Sequence, residues 1–233
     1  MRNSYVTLAL AAVLLPGIAL AGPGHDHGKS AKKLKPLPNC PIMDEPINLA
    51  VSTATDDGPV FFCCEGCVKK FGKNPAKYAS KVSEQRAALA DRPKVQTTCP
   101  VTGEPVDQKV SIDAGGKKVF FCCQGCSSKY KSDPRKYSSA LANSYTFQAT
   151  CPVMGHAIDP ASFTKLADGR KIYYCCPGCD SKLFEKPAKY AKHLASQGYQ
   201  YNWAKIKKAD DKEKGGHEHH NGHDHGHGGH DHD

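Results

Sequence analysis

All twelve cysteines fall into three groups of four, with none left over: Cys40, Cys63, Cys64 and Cys67; Cys99, Cys122, Cys123 and Cys126; and Cys151, Cys175, Cys176 and Cys179. Each group opens on a Cys-Pro pair. After 23 or 24 residues come two adjacent cysteines, then one more three residues further on. Thiolates are soft donors that suit zinc or Cu(I), so three identical sets of four sulfurs predict a metal-binding array. An even count in an exported chain also admits a disulfide framework. Adjacent cysteines do not easily bridge each other at ordinary disulfide geometry, and a last cysteine one helical turn away suits a metal better than a staple.

The surrounding residues repeat as well. The first knuckle runs Cys40-Pro-Ile-Met-Asp-Glu-Pro-Ile-Asn, the second Cys99-Pro-Val-Thr-Gly-Glu-Pro-Val-Asp and the third Cys151-Pro-Val-Met-Gly-His-Ala-Ile-Asp. Asp57-Gly58, Gly115-Gly116 and Asp168-Gly169 supply the positive φ of a two-residue hairpin turn. They lead into Val60-Phe61-Phe62, Val119-Phe120-Phe121 and Ile172-Tyr173-Tyr174, so each unit should hold a β-hairpin ending at its cysteine cluster. Phe71, Tyr130 and Leu183 follow the last cysteine by four residues. Asn74-Pro75 and Asp133-Pro134 then read as a cap and a proline-tolerant first turn, a signature of short helix, break and second helix. Lys186-Pro187 lacks the capping side chain. Tyr78, Tyr137 and Tyr190 are expected to pack on the hairpin.

The predicted fold class is small α+β, as three tandem units of β-hairpin plus short helices, similar to a treble clef or zinc ribbon. Residues 37–79, 95–138 and 147–191 form the repeats, with linkers at 80–94 and 139–146 and a helical tail at 192–212. A unit of about 40 to 45 residues is near the size at which an apolar core alone rarely holds a fold. A tetrathiolate zinc site supplies about 10 to 16 kcal/mol of apparent binding free energy, enough to decide the outcome. The knuckle offers one sulfur, the strand end a second and the first helical turn a third, where the helix N-terminus should lower the thiol pKa. Side chains alternate along a strand, so one of each adjacent pair should face away, unless the turn into the helix lets both bind.

Arg2, the apolar run Val6–Leu15 and the small residues Ala19 and Ala21 read as a cleaved secretory signal at 1–21. Export to a periplasmic or extracellular space is therefore expected, with no integral membrane segment afterwards. Cleavage lowers the formal charge from +9 to +8, and the lysines are scattered, which gives nucleic-acid binding no support. Residues 22–36 form a flexible segment carrying His25 and His27. The last stretch, 213–233, is rich in Gly, His and Asp, cannot bury a core and is expected to be disordered. It holds His217, His219, His220, His223, His225, His227, His230 and His232, which with the twelve cysteines are the candidate metal ligands. His156 and His193 read as ordinary residues.

The Cys-Pro knuckle, the aromatic strand running into Cys-x3-Cys and the following Phe, Pro and Tyr resemble the TRASH and YHS family of heavy-metal-associated domains. The resemblance covers roughly 130 residues in three copies. It implies ligands at Cys40, Cys63 and Cys67, at Cys99, Cys122 and Cys126, and at Cys151, Cys175 and Cys179, and a role in trafficking, sensing or resistance to copper or zinc. This chain departs from the family at Met43, Thr102 and Met154, where relatives often carry another cysteine, and at Cys64, Cys123 and Cys176. The two methionines are candidate thioether donors to Cu(I) or, as the commoner use of this side chain, apolar gap-fillers under the hairpin. The function expected is a non-enzymatic exported protein that captures, buffers or transfers copper or zinc, with metal ions and a metal-transfer protein as partners. A structural-zinc interaction module and a thiol-disulfide oxidoreductase, the latter suggested by Cys64-Glu-Gly-Cys67, Cys123-Gln-Gly-Cys126 and Cys176-Pro-Gly-Cys179, are the alternatives.

Overall fold

The computed structural model describes residues 35–209; the signal-like segment, residues 22–34 and the histidine-rich stretch lie outside the described residues. Three copies of one α+β unit are present. In the first, β1 (Asn48–Thr53) pairs antiparallel with β2 (Val60–Phe62), and α1 (Glu65–Lys73), a 3-10 turn (Pro75–Tyr78) and α2 (Ala79–Leu89) follow. A two-residue strand, β3 (Val95–Gln96), leads into the second copy. There β4 (Asp107–Ala114) pairs with β5 (Lys117–Phe121), followed by α3 (Gln124–Ser132), a second 3-10 turn (Pro134–Tyr137) and α4 (Ser138–Ala142). After β6 (Tyr145–Thr146), which pairs with β3, the third copy runs through β7 (Asp159–Lys165), β8 (Lys171–Tyr174), α5 (Cys179–Glu185) and α6 (Pro187–Ser196). No described helix is long and apolar enough to cross a membrane.

The capping expectations hold. Asn74 and Asp133 each accept a hydrogen bond from the backbone N–H three residues on, at 3.3 Å, and Lys186 makes no side-chain cap. The tyrosines that follow pack against the cores that the hairpins share, and Tyr78 also meets Phe71 at 6.2 Å and Tyr137 meets Tyr130 at 6.1 Å between ring centroids on the preceding helices.

The hairpin turns differ among copies. Only the second is the expected two-residue turn, with Gly115 and Gly116 both at positive φ between the paired residues Ala114 and Lys117. In the first copy Pro59 has no N–H to give the ladder, and the loop closes instead through Gly58 N–H to Thr55 O and Thr55 Oγ1 to Gly58 O. In the third, Leu166 is drawn into a bridge with Lys208 and the turn lengthens to 166–170. All three first strands bulge at the same place. Asn48, Asp107 and Asp159 each accept from the backbone N–H two residues on (2.9–3.0 Å), which accounts for the Asx residue closing every knuckle motif.

Each second strand has an open edge, and a glutamine closes it. Gln85 donates to Phe61 O (2.8 Å) and accepts from Phe61 N–H (2.9 Å); Gln96 does the same for Phe120 and Gln148 for Tyr173. Gln96 and Gln148 stand three residues before their knuckle cysteines. In the first copy that place is Leu37, and the glutamine comes from α2 instead. Residues 80–94, expected as a linker, thus carry most of a helix that buries Val82, Gln85 and Leu89 against the first hairpin.

The cores are distributed unevenly. One buried cluster of twenty residues joins the first and third copies, while the second copy keeps a cluster of six: Cys99, Val106, Val119, Phe121, Cys126 and Tyr130. The expected helical tail at 192–212 is, among the described residues, helical only to Ser196. Gly198, at φ +97°, places its N–H on Ala195 O and Tyr199 places its own on Leu194 O, a Schellman stop. The chain then runs along the first hairpin, with Leu49 N–H on Gly198 O and Asn48 exchanging two hydrogen bonds with Gln200. Tyr199 Oη meets Thr146 Oγ1 and Phe147 N–H, and Gln197 Oε1 accepts from Ala149 and Thr150.

Replacing Gln148 with leucine should strand the buried N–H and C=O of Tyr173, at about 1–3 kcal/mol for each unsatisfied group. Urea unfolding of the full chain should show a lower midpoint at unchanged slope; an unchanged midpoint would show that the edge does not need its cover.

Candidate metal centres

Three secondary-structure fragments deliver one sulfur each. The knuckle supplies Cys40, Cys99 or Cys151; the residue after the second strand is Cys63, Cys122 or Cys175; and the first turn of the next helix holds Cys67, Cys126 or Cys179. Within each set the sulfur atoms lie within 4.8 Å of one another, the first and last residues buried and the middle one half-buried. Cys63 to Cys67 and Cys122 to Cys126 are 3.6 Å between sulfurs. Two thiolates on a tetrahedral zinc, each ~2.3 Å from the ion, stand about 3.8 Å apart, so an ion needs little rearrangement to enter. All twelve cysteines are free thiols. These are three tricysteine sites compatible with a bound metal ion such as zinc or Cu(I).

The knuckle geometry recurs closely. Cys40 N–H donates to Glu45 O at 2.7 Å, Cys99 N–H to Glu104 O at 2.7 Å and Cys151 N–H to His156 O at 2.8 Å, so His156 enters the turn only through its carbonyl; its side chain is exposed. The return bond to the cysteine carbonyl comes from a residue of positive φ, Asp44, Gly103 or Gly155. Asp44 is the one non-glycine residue there, and its carboxylate accepts from Asn39 Nδ2 at 3.2 Å, the local bonding that lets Asp tolerate this conformation. His193 reaches the third knuckle, its Nδ1 2.7 Å from Pro152 O, and acts as a tie between α6 and the turn.

Charge is directed to the knuckle. Burial opposes ionisation of Cys40, but N–H groups of Cys63, Ile42 and Met43, with the Cys63 thiol, outweigh it and lower the pKa. Cys151 is lowered against burial in the same way by Met154, Cys175 and Val153. At Cys99 burial is again overcome, by the backbone of Cys122, Val101 and Thr102 and by the Thr102 hydroxyl, and the thiol falls to about 7. The helix cysteines go the other way. Burial, then the neighbouring thiols, pushes Cys67, Cys126 and Cys179 well up, which corrects the expectation that the helix N-terminus lowers them. Burial also raises Cys63, Cys122 and Cys175, the last to about 11. Each site therefore favours ionisation at its knuckle cysteine and disfavours it at the other two, whose protons a cation would displace.

Cys64, Cys123 and Cys176 are exposed and fall outside the triads, though each sulfur lies 3.5–3.6 Å from that of Cys67, Cys126 or Cys179. Cys64 and Cys123 occupy the N-cap positions of α1 and α3, and the backbone N–H groups and thiols of Cys67 and Cys126 lower their pKa. Met43 and Met154 do not plug the hairpin: they are 52% and 49% exposed. At the same knuckle position Thr102 brings its hydroxyl 3.4 Å from Cys122 Sγ. The edge-closing glutamines were missed by motif reading, although Gln96 and Gln148 share one offset from their cysteines. The C-terminal histidines, His217 to His232, lie outside the described residues. The chain matches no protein-family model, no curated protein and no solved structure.

The lowered Cys99 thiol links stability to pH. Its contribution is fully present above the ordinary thiol value of 9.0 and is lost as pH falls through about 7. Thr102→Val removes one donor, so ultraviolet thiolate absorbance of the reduced, metal-free chain should lose part of its lowest-pH step. Superimposable titrations of the two proteins would remove the hydroxyl from this account.

Proposed function

We propose that this protein captures and hands on a soft or borderline metal ion, copper or zinc, outside the cytoplasm, with the triads as tight sites and the histidine-rich stretch as a collector. The observation that carries the reading is the threefold convergence of three sulfurs, two buried and one half-buried, on a knuckle whose N–H groups favour ionisation of its cysteine. A soft anionic site of this composition favours Zn and Cu(I) over hard cations. Met43 and Met154, three residues after the knuckle cysteines of the first and third sites, expose soft thioethers, where the second site has the Thr102 hydroxyl. A role of this kind agrees with the resemblance to the TRASH and YHS domains, and the signal-like leader supports export. No catalytic step is required of any residue.

Two features support transfer over a purely structural role. A structural zinc site is closed by four buried ligands, whereas each triad supplies three sulfurs and the nearest further thiol, Cys64, Cys123 or Cys176, is exposed. The exposed methionines and cysteines stand where an acceptor could meet the ion.

Titration of the reduced full chain, followed by native mass spectrometry, should reach three tightly held ions. Cys67→Ser, Cys126→Ser or Cys179→Ser should each remove one; a chain that binds none, or keeps three in every variant, would overturn the reading. Replacing Met43 and Met154 with leucine should weaken Cu(I) retention against a competing chelator roughly tenfold, or about 1.4 kcal/mol, at two of the three sites. Zinc retention should not change, and equal losses for both metals would place the effect in packing.

A further inference from the structure

The exposed cysteine beside each triad has no place in the three-sulfur site, yet its position is the same in all three copies. Cys64 Sγ is 3.6 Å from Cys67 Sγ, Cys123 Sγ is 3.6 Å from Cys126 Sγ and Cys176 Sγ is 3.5 Å from Cys179 Sγ. In every pair one sulfur faces solvent and the other is buried inside the triad. A further move of about 1.5 Å closes each gap to a disulfide bond. The sequence spacing is Cys-x-x-Cys throughout, and two of the three intervening pairs are Glu-Gly and Gln-Gly, in which a side chain on the glycine would meet the exposed sulfur at 3.8 or 3.9 Å.

We propose that these pairs, Cys64–Cys67, Cys123–Cys126 and Cys176–Cys179, are thiol-disulfide exchange sites whose closure expels the metal from the adjoining triad. The reacting partner is a disulfide, either of a small thiol such as glutathione or of a protein dithiol oxidant. The exposed thiol loses its proton and attacks one sulfur of the incoming disulfide, forming a mixed disulfide and releasing the first thiolate, which takes up that proton. The buried thiolate then leaves the metal and attacks the exposed cysteine's sulfur, breaking the mixed disulfide and releasing the second thiolate. Two electrons pass from the cysteine pair to the incoming disulfide, which becomes one thiol and one thiolate, the latter taking a proton from water. The ion is left with two of its three sulfurs and departs.

The proposal rests on the reading of the triads as metal centres. It goes beyond that reading by making release respond to the thiol-disulfide poise of the surroundings rather than to an acceptor alone. Cys63, Cys122 and Cys175 are less suited to begin the reaction. They are half-buried within the triads, so an incoming disulfide reaches the exposed neighbour first.

The test uses the reduced full chain loaded with three equivalents of zinc and exposed to oxidised glutathione, with release followed by a chromogenic chelator and disulfides mapped by peptide mass spectrometry. The wild type should release its zinc in step with formation of the three Cys-x-x-Cys disulfides. The triple variant Cys64→Ser, Cys123→Ser, Cys176→Ser should load the same three ions and release them at least tenfold more slowly. Equal release rates, or disulfides mapped to other pairs, overturn the coupling. A variant that loads fewer than three ions overturns it too, because the exposed cysteines are then ligands. A wild-type chain that takes up no zinc at all instead sinks the metal reading, with the coupling falling as a consequence.

Discussion

The structure depends on a tight knuckle that surrounds one buried sulfur with backbone N–H groups. Burial by itself makes a thiolate unfavourable, so the knuckle turn must present N–H groups to the sulfur in compensation. That requirement explains the local sequence. The residue closing the turn must adopt positive φ, which Gly103 and Gly155 do freely and Asp44 does with help from Asn39. The proline after each cysteine has no N–H to leave unpaired in a buried position. The second strand must then end beside this sulfur, because Cys63, Cys122 and Cys175 supply backbone N–H groups to it. The hairpin, its Asx-stabilised bulge and the helix that follows are thus placed around one buried sulfur and the N–H groups it needs.

A two-stranded hairpin is marginal by itself, and the three copies solve this differently. All three close the second strand with a glutamine amide, which offers one donor and one acceptor in the spacing of a missing strand residue. The first and third copies then share an apolar core, sealed by the stretch after α6 that pairs with Leu49 and Asn48. The close approach at Gly198 makes this seam possible: a β-carbon there would stand 2.9 Å from Leu49 Cδ1 and 3.0 Å from Leu37 Cδ1. Such an arrangement is not a string of independent beads.

Much of this organisation was legible from residue types and spacing. The triads, the hairpin ending at each cysteine cluster, and the Asn and Asp caps follow from short-range rules in which a residue's local chemistry decides its conformation. What could not be read lies in longer-range contacts. Gln85 and Gln148 close their strands from different places in the chain, and no local pattern relates a helix position to a residue three before a knuckle. The turns at 54–59 and 166–170 look like the one at Gly115-Gly116, but Pro59 and the bridge from Leu166 to Lys208 override the dipeptide signal. The thiol pKa pattern reversed for a similar reason. A cysteine in the first turn of a helix is ordinarily favoured as a thiolate, but burial, and then the neighbouring thiols, push Cys67, Cys126 and Cys179 well up.

The second copy then emerges as the one most dependent on its metal. Two of its six buried core residues are the triad members Cys99 and Cys126, so its site and its apolar core are nearly the same object. In the first and third copies the triad cysteines are four of twenty buried residues, and Phe62, Phe71, Tyr174 and Leu194 would remain packed if an ion left. Loss of a metal from the second site therefore removes a larger share of what holds that unit, through burial of two thiols in a cluster too small to persist unaided. The same unit lacks a methionine and instead aims the Thr102 hydroxyl at Cys122. A hydroxyl stabilises thiolates without adding a soft donor. The two units with exposed thioethers keep an apolar core that does not rest on their triad cysteines alone, a difference that follows from where the apolar residues were placed.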